Sequence, residues 1–206
     1  MNLQNRLVKH FAVAATAAAG VAGASNAGVV YSGVVNINIP ATTNGLYLNV
    51  VNGQINEPGN GGGSTVPGWD INPWSASGFG LFSPTNPSGG AYATLGANLF
   101  NLPSLTTIDA ASTFGTLGST TNNAQWNLNS ANNIVGFRFQ NEANGNAIHY
   151  GWFRVAFGAT IASRTLVEYA YDDVAGAGIA AGAIPAPGAL ALLGLAGLSA
   201  RRRRQS

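Results

Sequence analysis

Ile134-Val135-Gly136-Phe137-Arg138-Phe139-Gln140, Ile148-His149-Tyr150-Gly151-Trp152-Phe153-Arg154-Val155-Ala156-Phe157 and Leu166-Val167-Glu168-Tyr169-Ala170-Tyr171 share one rhythm. Side chains of an extended strand alternate between two faces, with a period of two. In the first run Phe137 and Phe139 fall on one face, and Arg138 and Gln140 on the other. In the second, Phe153, Val155 and Phe157 share a face, opposite Tyr150, Trp152 and Arg154. In the third, Val167, Tyr169 and Tyr171 fall together. Asn144-Gly145 supplies a turn between the first two runs. Three strands joined by short connections make an antiparallel meander. Aromatics on both faces require another layer over much of it. The expected fold is therefore all-β, an antiparallel two-sheet sandwich of jelly-roll-like type.

The flanking sequence fits the same class. Val34 to Ile39 contains period-two alternation and stops at Pro40; Thr43-Asn44-Gly45 is a turn signal, and Leu46 to Val51 resumes the pattern. These read as a hairpin. Asn56 to Gly68 reads as a loop around Gly61-Gly62-Gly63, Phe79 to Phe82 as a short strand, and Ile179 to Ile184 as a final edge strand. No long helical periodicity and no internal repeat interrupts residues 28–184.

The two ends differ from this middle. Arg6 and Lys9 precede an Ala/Val/Gly-rich run from Phe11 to Ala24, followed by Ser25-Asn26-Ala27. A basic start, an apolar centre and small residues before a cut define a secretory signal. Residues 1–27 are thus expected to be a signal helix cleaved by signal peptidase after Ala27, with Ala24 as the other option. At the other end, Pro185-Ala186-Pro187 precedes an apolar run from Gly188 to Ala200 and then Arg201, Arg202, Arg203 and Arg204. An apolar helix capped by arginines is a stop-transfer pattern that leaves the arginines in the cytoplasm. It is short for a permanent anchor, which needs about 20 residues, so a transient inner-membrane span is expected. A lipid-anchor signal would end apolar rather than basic.

Pro-x-Pro, a Gly/Ala/Leu helix and a terminal arginine cluster together resemble the PEP-CTERM sorting signal. This tail has Ala186 where that family usually has Glu. The middle of the chain also resembles a β-rich domain that recurs in PEP-CTERM proteins. The matching pieces are Gly136 to Phe139, His149 to Trp152, Val167 to Tyr171, Ile179 to Gly182, Trp69 to Trp74 and Gln125 to Asn129. The resemblance implies three parts: signal peptide 1–27, β-sandwich ectodomain 28–184 and sorting tail 185–206. It implies cleavage of the tail by an exosortase-like transpeptidase in a bacterium that makes exopolysaccharide. Delivery to the cell surface or extracellular matrix follows. The domain has no assigned activity to carry over.

Charge and missing residue types exclude several functions. Residues 28–184 hold Arg138, Arg154 and Arg164 against seven acids, a formal charge of −4, so nucleic-acid binding lacks an electrostatic basis. The chain has no cysteine, and its one lysine lies in the signal. Disulfides, thiol nucleophiles and zinc–thiolate sites are excluded, as are a phosphate-loop lysine and a Schiff base. No cofactor is expected. His149 is the single histidine of residues 28–184. A Ser-His-Asp arrangement with Asp109 or Asp70 is possible by count, but the nucleophile-elbow motif is missing. Glu168, Asp172 and Asp173 form the densest acidic cluster. It is a weak Ca²⁺ candidate, with a cross-strand Glu168–Arg154 pair as the competing reading.

Trp69 and Trp74 bracket Asp70 and Asn72 in a Pro-containing segment. Indole faces stack on sugar rings, and Asp and Asn hydrogen-bond hydroxyls, so these four residues are the candidate glycan contact. The competing reading is that both indoles plug the core. The expected function is that of a non-enzymatic surface or matrix protein associated with exopolysaccharide. One alternative is a secreted glycan hydrolase using two of Glu57, Asp70, Asp109 and Glu142. The other is a self-assembling coat protein.

Overall fold

The computed structural model describes residues 28–56, 62–95, 98–99, 101–116 and 125–185. The signal peptide with its Ala27 cut, the tail from Ala186 through Arg204, and Glu57 lie outside the described residues. What is described is mostly β and antiparallel.

Three long strands form the centre: β9 (Ser130–Asn141), β10 (Ala147–Phe157) and β11 (Arg164–Asp172). They pair as the expected meander, with Gly151 opposite both Phe137 and Tyr171. The β9–β10 turn runs through a short 3-10 segment, Glu142–Asn144. Gly145 closes it at φ 61°, in the left-handed region that only glycine enters without a steric penalty. Five shorter strands complete an eight-stranded sheet: β1 (Val29–Tyr31), β2 (Ile37–Asn38), β5 (Tyr92–Leu95), β6 (Asn98–Leu99) and β8 (Phe114–Gly115). β1 and β2 both pair with β11, while β5 pairs with β9 at the single position Tyr92–Phe137. Two small two-stranded sheets remain. β3 (Asn72–Trp74) pairs with β4 (Gly80–Phe82), and β7 (Thr107–Ile108) with β12 (Ile179–Ala180).

The large sheet is buried on both faces. On one face, Val135, Phe137, Phe139, Phe153, Val155 and Phe157 join Leu46, Leu48, Val50, Ile71 and Leu81 in a single apolar cluster. On the other, Ile134, Tyr150, Trp152 and Ala170 join Leu102, Ile108, Ile179 and Ala181. Trp152 is fully buried, and its indole N–H donates to the Ala183 carbonyl at 3.0 Å. A partner for that N–H is what makes burial of so large a ring favourable. Each such side chain contributes about 1.5–3 kcal/mol of burial.

Three expectations need correction. Val167 does not share a face with Tyr169 and Tyr171. Arg154 pairs with Glu168 but Val155 pairs with Leu166, so Val167 is the extra residue of a β-bulge. Leu166 takes its place in the apolar cluster, and the bulged carbonyl accepts from both Val35 N and Asn36 N. The hairpin expected across Asn44-Gly45 does not form. β2 joins the edge of β11, whereas Leu46 N and Leu48 N donate to the Pro73 and Ile71 carbonyls. An alternating run fits any neighbour with a matching apolar face, and here two different neighbours compete better than the adjacent run. The last strand is confined to Ile179–Ala180 and pairs with β7 rather than the meander.

Arg164 ties distant segments together. Its guanidinium donates to the backbone carbonyls of Pro40, Ser75 and Gly78. The residue is 3% exposed, and burial pulls its pKa down to about 10. Its Nε has no partner among the described residues.

Candidate functional site

Loop chemistry at one edge of the large sheet builds a groove. β5 stops pairing with β9 after Tyr92–Phe137, apart from Arg138 N donating to the Ala91 carbonyl. The last residues of β9 are left without a neighbouring strand on that side among the described residues. Against this open edge lie segments 49–52, 67–70 and 84–86. Asn49 fastens the first two to each other. Its side-chain amide donates to the Pro67 and Gly68 carbonyls at 3.2 and 2.8 Å, and its carbonyl accepts from Val51 N and Asn52 N at 3.0 and 3.1 Å.

Two adjoining cavities result. One, of about 220 Å³, has Trp69, Asp70, Thr85, Asn86, Gln140 and Asn146 in its wall. The other, of about 380 Å³, lies between Asn49, Val51, Asn52 and Asn141. Gly68 and Glu142 belong to both. Gly68 stands at φ +64°, and a Cβ there would meet the Glu142 carboxylate at 2.8 Å. No side chain can occupy the junction without displacing Glu142.

Trp69 is half-buried and held by two other rings. Phe82 stacks on it with centroids 5.9 Å apart and planes at 21°, and Tyr47 meets it edge-on at 4.9 Å. Phe82 itself is 49% exposed. Trp69 and Phe82 thus carry a stacked aromatic pair from the groove wall to the surface. Aromatic side chains bring contact area with few torsions to freeze, so a braced ring makes a good platform.

The four candidate glycan residues are not brought together. Asp70 is 3% exposed, and its Oδ2 accepts from Val50 N at 2.8 Å. Burial pushes its pKa up to about 8; the Val50 N–H opposes this and the Glu142 charge adds to it. Asn72 is buried, and its side-chain amide donates to the Asn44 and Leu46 carbonyls at 2.8 and 3.0 Å. Its backbone N–H donates to the Tyr92 hydroxyl, which donates in turn to the Phe82 carbonyl. Both N–H groups of the Asn72 amide are therefore committed to backbone, and the residue is 1% exposed. Trp74 pairs with Gly80, its indole nitrogen is buried without a partner among the described residues, and it lines neither cavity. Five extended residues span roughly 16 Å, too far for both indoles to serve one small groove.

The remaining candidates separate clearly. Glu142 is exposed and shares the smaller cavity with Asp70. Asp109 lies elsewhere, where its Oδ1 accepts from Ala111 N and Ser112 Oγ. His149 is fully buried against Phe139 and Tyr171. Its Nδ1 faces the Asp172 carbonyl at 2.8 Å, which can only accept, so Nδ1 carries the proton and Nε2 accepts from the Asn144 amide. Both ring nitrogens are occupied by non-catalytic partners, and no triad forms around this imidazole. The Ca²⁺ candidate also dissolves. Glu168 is taken by Arg154 at 2.7 Å and by the Tyr31 hydroxyl at 2.5 Å, and Asp172 Oδ1 accepts from Val174 N. Among the described residues no group of three acids or histidines is placed to hold a metal.

Sequence reasoning missed Tyr47, Phe82, Asn49 and the polar rim Thr85, Asn86, Gln140 and Asn146. Phe82 closes a short strand legible in the sequence, but which way its ring points depends on the pairing of Asn72 with Phe82. No family model, no curated protein and no solved structure matches this chain.

Proposed function

We propose that this is an exported surface or extracellular-matrix protein that binds polysaccharide without turning it over. The observation that carries the reading is the Trp69 ring, braced by Tyr47 and Phe82 beside a groove rimmed with amides and hydroxyls. The jelly-roll-like two-layer description of the fold belongs to the same proposal; burial of both faces of the large sheet supports it. So does removal of both ends: signal peptidase cuts after Ala27, and an exosortase-type enzyme acts near Pro185-Ala186-Pro187 after transient membrane residence. The arginine-capped tail supports that step.

Retention of the purified protein by the host's own exopolysaccharide tests the binding. Trp69→Ala should abolish retention while the protein stays folded. Equal retention of both proteins would remove the groove from the explanation. For processing, the mass of the protein recovered from the host should lack Arg201 to Arg204; a mass that includes them would sink the sorting step.

A second reading is favoured by one observation. Asp70, with its raised pKa, and Glu142 line the same cavity. Two carboxyls in one cavity, one of them held protonated by burial, are the groups on which glycoside hydrolysis draws. Release of reducing ends that disappears in both Asp70→Asn and Glu142→Gln would establish turnover and displace the binding-only reading.

A further inference from the structure

We infer that the groove selects uncharged glycan, such as neutral or N-acetylated hexose polymers, and turns away polymers that carry carboxylates. This rests on the glycan-binding reading above and adds the chemical class of the ligand. Thr85, Asn86, Gln140 and Asn146 line the smaller cavity, and none of their side chains is engaged in a hydrogen bond within the described residues. Amides and hydroxyls both donate and accept, as sugar hydroxyls and acetamido groups do. The groove thus offers uncommitted neutral partners of the right kind on its rim.

Among the described residues no cation lines the groove, and its exposed carboxyl is that of Glu142, at the junction of the two cavities; Asp70, buried behind it, presents no charge to the groove. The three arginines outside the two ends are all engaged elsewhere. Arg164 is enclosed by the Pro40, Ser75 and Gly78 carbonyls. Arg154 is paired with Glu168. Arg138 donates to the Gly90 and Ser88 carbonyls and lies over the Phe114 ring at 4.6 Å. None of them lines either cavity. A uronate seated on Trp69 would bring its carboxylate toward Glu142, with no cation among the described residues of the lining to accept it. Discrimination against a competitor by an uncompensated like charge is a common route to specificity.

Gel retardation of the full chain measures the preference. The gels contain a soluble β-glucan, hydroxyethyl-chitin or polygalacturonate, and each mobility is compared with a polysaccharide-free gel. The wild-type protein should bind at least one neutral polymer tenfold or more tightly than polygalacturonate. Trp69→Ala should lose that retardation. Glu142→Lys, at an exposed position where the fold does not depend on the carboxylate, should gain polygalacturonate retardation at low salt and lose it at high salt. Equal or stronger wild-type binding to polygalacturonate, abolished by Trp69→Ala, would overturn the selectivity and leave the binding site standing. No retardation in any gel, or retardation indifferent to Trp69→Ala, would overturn both.

Discussion

The meander from Ser130 to Asp172 and the segment from Val34 to Phe82 carry similar alternating patterns, yet they fold by different rules. In the meander each strand pairs with its neighbour in sequence. In the earlier segment local and distant pairings mix: Ile37 goes to β11, Leu48 bridges both nearby Ile55 and more distant Ile71, and β3 pairs with β4. Length explains the difference. Strands of nine to twelve residues fix one register, because a slip would turn every aromatic to the wrong face. Runs of two to four residues fix little by themselves. Single polar side chains decide their placement instead: Asn49, Asp70 and Asn72 each bridge to backbone in another segment.

The largest effect should come from breaking the meander. Phe153→Ala removes a fully buried ring from β10 and should cost about 3–5 kcal/mol. At roughly 2–4 °C per kcal/mol for a domain of this size, the melting temperature should drop by about 6–20 °C. A drop no larger than that of Phe82→Ala would erase the contrast between the two regions.

Asp70→Asn sharpens the comparison from the other side. The folded-state pKa of about 8 stands above the unfolded value of about 3.9. Below pH 4 the carboxyl is protonated in both states and contributes no slope. Between pH 4 and 8 the unfolded chain gives up its proton and the folded protein keeps it, so stability falls as pH rises; above pH 8 the contribution is flat. Asn can still accept from Val50 N but carries no proton to lose. Urea midpoints of wild type and variant should converge near pH 4 and separate by pH 8.5 in favour of the variant, by on the order of a few kcal/mol. A separation that is independent of pH would refute the buried-acid assignment.

Arg164→Met leaves the Pro40, Ser75 and Gly78 carbonyls without their donor and should cost about 2–4 kcal/mol in denaturant titrations. A neutral result would mean that packing alone holds the 40–45 and 75–78 loops. Gly145→Ala, at φ 61°, is the smallest of the four at about 1–2 kcal/mol. It should appear as a modest shift in melting temperature with the long register unchanged.

The alternation of Phe137 with Phe139 and of Phe153 with Val155 was readable because each residue needs only its own strand to define its face. The bulge at Val167 was not, since it arises from the 34–36 segment delivering two N–H groups to one carbonyl. For the site, Trp69 was legible as an aromatic in a loop, and Asp70 and Glu142 as acids. Their gathering in one groove was not, because it depends on where β5 leaves β9 and on the Asn49 clasp. The role of Asn72 in tying segments together is equally hidden: an Asn beside two tryptophans gives no sign in the sequence that its amide donates to the Asn44 and Leu46 carbonyls.

The arrangement around Arg164 bears on chemical resilience. It joins chain positions 40, 75, 78 and 164, the kind of long-range connection that small extracellular domains commonly make with a disulfide. A chain without cysteine has nothing there for a reductant to open. The clamp is insensitive to thiols and to oxidants. Burial draws the Arg164 pKa down, yet a guanidinium keeps its proton in proteins, so the same three carbonyls stay held at neutral and mildly alkaline pH alike.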